Sequence, residues 1–99
     1  MKLPHECQTI EEVRREIDEI DKVIIELIGK RFAFVHEIVK YKSNSDDVYA
    51  RNRYEEVLLK RREMAVAHHL NPDIIEDMYR TMMDYLIQEQ LELLKKKQK

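Results

Sequence analysis

From Thr9 to about Lys42 the chain carries one helical pattern with no convincing stop. Apolar residues recur at Val13, Ile17, Ile20, Ile24, Leu27, Phe34 and Ile38. The steps are three and four, with one interruption at Arg31. A helix of about 33 residues is about 50 Å long. A single globule of this chain length has a radius of gyration of only about 13 Å. Such a helix outruns any core its own chain can build, so the pattern predicts a helix shared between two copies.

The rest of the chain is read against that helix. Thr9-Ile10-Glu11-Glu12 fits a capping box, with Thr9 as N-cap and Glu12 reaching back. Residues 1–8 form a leader arm. Gly29 sits inside the helix at a propensity cost of about 1 kcal/mol. It marks either the close approach of another helix or a neutral exposed position. Tyr41-Lys42-Ser43-Asn44-Ser45-Asp46-Asp47 is a polar break, read as a mobile loop over residues 43–48. A second helix is expected from about Tyr49 to His68, with Tyr54, Val57, Leu58, Arg61, Met64 and Ala65 on its stripe. Asn71 as N-cap, Pro72 at N1 and Asp73 in the first turn open a third helix. It carries Ile75, Tyr79, Met82, Leu86 and Leu93 on one face and runs to Leu94 or beyond. The expected fold is all-α, with three helices per chain in one domain over residues 1–99. A basic tail over residues 95–99 reads as a solvated helix end of favourable dipole sign.

Composition narrows the function. One glycine and two prolines leave little room for a multi-strand sheet. The 18 Lys+Arg against 20 Asp+Glu give a net charge of -2, which argues against nucleic-acid binding. Cys7 stands alone, so neither an internal disulfide nor a thiolate metal cluster is expected. No signal-like leader and no membrane span is visible, and the cytoplasm is the default compartment. His36, His68 and His69 lack carboxylates at ligand spacing, so no metal is expected. No Ser-His-Asp arrangement, phosphate loop or CxxC occurs.

The chemistry-bearing residues lie on the apolar seams. Arg31 takes the slot between Leu27 and Phe34. A buried cation there needs a partner, either a protein carboxylate or a ligand carboxylate. Lys42 follows eleven residues later, about 20° from three full turns and about 16 Å along the axis. Both side chains can converge on a small anion. Gln90 lies past Leu86 near the third-helix face and offers a donor and an acceptor. Arg14 points elsewhere, and an antiparallel partner chain could bring it in. Arg53 opens the second helix and could reach a pocket rim. An interhelical cavity with convergent cations suits a compact dianion.

These residues resemble the all-helical (AroQ-type) chorismate mutase family, and within it the isochorismate pyruvate lyase branch. The resemblance rests on Pro4 and Cys7, Val13-Arg14, Ile17-Asp18-Glu19-Ile20-Asp21, Gly29-Lys30-Arg31 and Lys42. Arg53, Ala67-His68-His69-Leu70 and Glu89-Gln90 complete it. It covers nearly the whole chain. It implies an intertwined homodimer in which each active site borrows an arginine. By position, Arg14 is the borrowed residue and holds one substrate carboxylate, and Arg31 holds the other. Lys42 would contact the ether oxygen and the enolpyruvyl carboxylate, and Gln90 the ether-oxygen region. Arg53 would bind the ring carboxylate or close the site, with Arg51 as its rival.

The family reactions are pericyclic and need no cofactor, metal or nucleophile. The protein holds the enolpyruvyl arm over the ring and stabilises negative charge growing on the ether oxygen. Mutases of the family usually carry a glutamate just after the second-helix arginine, contacting the ring hydroxyl of chorismate. Here Tyr54 stands there. That favours elimination of pyruvate from isochorismate to give salicylate, with rearrangement of chorismate to prephenate as the alternative. Against the lyase, its proline-containing loop is replaced by Val48-Tyr49-Ala50-Arg51. A tyrosine hydroxyl could also stand in for the glutamate. A non-catalytic dimeric helical module is the reading from another class. It explains the first helix but not Arg31 or Gln90.

Overall fold

The computed structural model describes residues 2–98. All their regular structure is helical. A 3₁₀ turn at Pro4–Glu6 precedes α1, Ile10–Ile38, which runs directly into a second 3₁₀ turn at Val39–Tyr41. Then follow α2, Ser45–Tyr49, α3, Arg51–Ala67, and α4, Pro72–Lys97. The described residues therefore form three long α-helices and one short one. It divides into two compact units, the first ending at Phe34 and the second beginning at Val35.

In the first unit Thr9 Oγ1 accepts from the Glu12 amide at 3.1 Å, as an N-cap should. The reciprocal bond of the expected capping box goes elsewhere. Glu12 Oε2 accepts from the Gln8 amide and from Lys2 Nζ, each at 3.0 Å. The leader folds onto the helix start, and its donors reach the carboxylate ahead of the Thr9 amide. These donors hold the Glu12 carboxyl below its ordinary pKa, the Gln8 amide most of all. No residue of α1 is buried.

The second unit has its own core. Tyr54, near the start of α3, meets Asp84, while Arg62, near its end, meets Asp73 and Glu76 at the start of α4. The two helices therefore run antiparallel. Val57, Leu58 and Ala65 of α3 and Leu86 of α4 are buried. Met64, expected on the same stripe, is exposed. The chain ends α3 without glycine: His69 takes the left-handed conformation at φ 60°. Its amide bonds to Val66 O, and the Leu70 amide bonds to Ala65 O, which is the Schellman pattern. Asn71 then caps α4 by accepting from the Asp73 amide at 2.9 Å.

The polar break after α1 is partly helical rather than a plain loop. Asn44 Oδ1 accepts from the Asp47 amide at 3.0 Å and starts α2. The helix turns Val48 inward, where it packs with Val39 and Leu94, flanked by Ile87, Leu91 and Leu93. One buried valine anchors the segment, so a polar composition does not make residues 45–49 irregular. Ala50, at φ 37°, makes the turn into α3.

Candidate active site

Gln90 is the one buried polar residue among those described, at 8% exposure. Leu86 and Leu94, one helical turn to either side, are buried with it.

Lys42 follows the 3₁₀ turn that ends α1 and is half-buried. Its Nζ donates to Asp47 O at 2.7 Å, so α2 holds the ammonium by a backbone carbonyl. Lys42 lines a depression of about 620 Å³ with Ile38, Tyr41, Asp46, Asp47 and Ala50. Arg53 is exposed and donates to Glu56 Oε1 at 2.8 Å, one turn further along α3. Its rival Arg51 instead lines a pocket of about 390 Å³ with Tyr54, Asp84, Ile87 and Gln88. The left-handed turn at Ala50 sets this phase, which the sequence leaves open. Arg14 and Arg31 belong to the first unit; Arg14 is exposed and Arg31 half-buried on α1. Among the described residues, no hydrogen bond or ion pair joins Lys42, Arg53 and Gln90 to one another.

Tyr54 is the residue the sequence singles out as a departure, and its surroundings are polar. Its hydroxyl donates to Asp84 Oδ1 at 2.7 Å. The Arg80 guanidinium lies 5.9 Å from the ring centroid. Burial, then the hydrogen bond to Asp84, push the phenol above its ordinary pKa, while Arg80 pulls the other way. Tyr54 is thus a neutral donor at neutral pH, directed at the Asp84 side chain. Nothing in the sequence signals Asp84, which lies thirty residues away in chain and meets Tyr54 only through the α3–α4 packing.

A second polar chain joins the end of α1 to α4. His36 Nε2 lies 2.6 Å from Glu89 Oε2, and Tyr85 also hydrogen-bonds Glu89. Tyr85 first, then His36, hold the Glu89 carboxyl below its ordinary pKa. Among the described residues, no three His, Cys, Asp or Glu converge as a metal site. No helix among them is long and apolar enough to cross a membrane.

A chain whose described regular structure is all helical, with a glutamine buried on its last long helix, belongs to the all-α class. Residues 13–91 match the chorismate mutase type II family, and the chain belongs to it. The isochorismate pyruvate lyase of Pseudomonas aeruginosa is 26% identical over 91 residues, covering 92% of this chain and 90% of that protein. The T-protein of Enterobacter agglomerans is 36% identical over 72 residues, covering 72% of this chain and 19% of that protein. The T-protein of Haemophilus influenzae is 32% identical over 77 residues, covering 77% of this chain and 20% of that protein.

Proposed function

We propose that the protein catalyses a cofactor-free pericyclic reaction on chorismate, giving prephenate, as a homodimer. The observation that carries this reading is Gln90, a polar residue buried between Leu86 and Leu94 on α4 in a chain of this family. Lys42 supplies the cation for the ether oxygen, and Gln90 hydrogen-bonds in the same region. Arg31 holds the enolpyruvyl-side carboxylate, and Arg14 of a second copy holds the other. Arg53 or Arg51 binds at the ring carboxylate, with Arg51 favoured by its place in the pocket lining. As the ether C–O bond breaks, the enolpyruvyl methylene forms a C–C bond to the ring. No proton leaves the substrate, so the side chains orient it and meet growing negative charge.

Tyr54 decides the order of the two reactions. Taken from the sequence alone it weakens a chorismate site, because the family's glutamate is missing. With Asp84 hydrogen-bonded to it, the position again offers a hydroxyl and a carboxylate to a ring hydroxyl. This supports the mutase reading over the lyase. The lyase remains the second reading, favoured by the match to the Pseudomonas aeruginosa enzyme along nearly the whole of both chains.

The homodimer is supported by α1 itself. Ile10, Val13, Ile17, Ile20, Ile24 and Leu27 are between 40% and 58% exposed along one stripe. A second copy of the same helix would cover it.

The test offers purified protein chorismate and isochorismate separately and follows prephenate, and pyruvate with salicylate. Prephenate formation is expected to dominate, and inactivity on both substrates overturns the enzyme reading. Lys42→Ala is expected to lower kcat by about 10²–10³-fold, the scale of a lost electrostatic contact to a developing oxyanion. Its unfolding midpoint should stay close to that of the parent.

A further inference from the structure

The basic tail contains one lysine unlike its neighbours. Lys97, at the end of α4, turns its ammonium onto the segment that follows α1. Nζ donates to Val39 O at 3.2 Å, to Lys40 O at 3.0 Å and to Lys42 O at 2.8 Å. An ammonium has three protons, so all of its donor capacity goes to three main-chain carbonyls of one turn. Helix ends leave such carbonyls without intrahelical partners and carry partial negative charge. The adjacent Gln98 Nε2 donates to Ser43 O at 2.9 Å and extends the clamp by one residue. Lys95 instead faces Glu92 at 3.7 Å on the exposed surface of α4. A merely solvated basic tail would show no such selection.

The clamped turn is the one that delivers Lys42. Val39 O accepts from Lys97 and also from the Lys42 amide at 3.1 Å. On the far side, Lys42 Nζ is steadied by Asp47 O, and the Ser43 amide donates to Asp47 Oδ2 at 2.8 Å. Lys42 thus has its side chain held from α2 and its backbone held from α4. Val39, Val48 and Leu94 pack beneath both attachments.

We propose that Lys97 is a positioning residue that fixes the main chain at Val39–Lys42 and thereby aims Lys42. Its link to catalysis rests on the role given to Lys42 above. Its link to the backbone does not. Lys97 touches no substrate; it sets where the Lys42 backbone starts. Removing the ammonium takes a donor from three carbonyls, of which Val39 O keeps the Lys42 amide, and lets the turn relax, which misplaces a cation whose effect depends on position.

The test compares the full-length protein with Lys97→Met, Lys97→Arg and, as a control, Lys95→Met. Backbone amide exchange is read for residues 40–44 alongside steady-state kinetics on chorismate. Lys97→Met is expected to speed exchange in that segment and to lower kcat about tenfold, with KM within about twofold. Lys97→Arg, which keeps charged donors, should recover most of both losses, and Lys95→Met should match the parent. Unchanged exchange in Lys97→Met overturns the clamp. Faster exchange with unchanged kcat overturns the positioning role. If the parent protein turns over neither chorismate nor isochorismate, the functional reading fails, and the exchange measurement still decides whether Lys97 holds the turn.

Discussion

The apolar stripe of α1 and the apolar faces of α3 and α4 are written in the same helical spacing, yet their fates in one chain differ. Every buried hydrophobic residue described, Val39, Val48, Val57, Leu58, Ala65, Leu86 and Leu94, lies outside α1. No residue of α1 is buried, and Ile10, Ile17 and Leu27 are each at least half exposed. Periodicity says that a face wants covering; it does not say which chain covers it. Within one chain the stripe of α1, a helix of 29 residues, stays open. The α3–α4 hairpin buries one face of each helix in its own chain, whereas α1 buries none of its residues there.

The sharpest way to break this contrast is to put a charge on the open stripe. In a two-fold interface Ile24→Asp enters twice. It should weaken association by about 4 kcal/mol, or about 10³-fold in Kd. Equilibrium sedimentation should then find a mass near one chain. If the variant's association equals the parent's, the stripe is not the interface. The matching change in the closed core is Leu86→Ala, at a side chain only 1% exposed. It should lower unfolding stability by about 3 kcal/mol through lost burial and a cavity. Within the dimer's concentration range, Leu86→Ala should cost the same at any protein concentration. The cost of Ile24→Asp should shrink on dilution, as the parent itself loses the stabilisation that association supplies.

Gly29 sharpens the same contrast at smaller scale. A Cβ added there would meet nothing within 4 Å. Two residues beyond Leu27, it lies about 200° round the helix and so off the stripe. Gly29→Ala should therefore raise stability by about 1 kcal/mol, the difference in helix propensity. A rise in Tm with unchanged association fits a neutral exposed position. A loss of association would place a partner helix against Gly29.

Much of the fold was legible because its signals are local. Thr9 and Asn71 cap where their side chains predict, and Pro72 opens α4. The stripes of α3 and α4 hold apart from Met64. What escaped depends on contacts between distant residues. Asn44 and Val48 hide a helix inside a polar run, because one buried valine is too little pattern to read. The phase of Arg51 and Arg53 depends on the left-handed turn at Ala50, which no glycine announces. Gln90 was legible as an amide near an apolar face. The partner of Tyr54 was not, because Asp84 reaches it only through antiparallel packing. Lys97 reads as a dipole-favoured tail residue of its own helix, and in the fold its ammonium serves the end of another.

The weakest expected effect probes the polar seam that runs from α1 to α4. Glu89 is held below its ordinary carboxyl pKa by Tyr85 and then by His36. A carboxyl depressed in the folded state adds stability above its unfolded pKa. That stability is lost as pH falls through the folded value. The ordinary glutamate value is about 4.3, so the contribution should be full above that value and fade as pH falls below it. Glu89→Gln removes this titration and leaves an isosteric amide. Melting curves of parent and variant should therefore converge on acidification, with the parent the more stable at the upper end. Because Glu12 and Glu56 are also depressed and titrate in both proteins, the difference between the two curves isolates Glu89. A gap that stayed constant with pH would mean that the charge of Glu89 contributes nothing, and that the seam holds by packing and neutral hydrogen bonds alone.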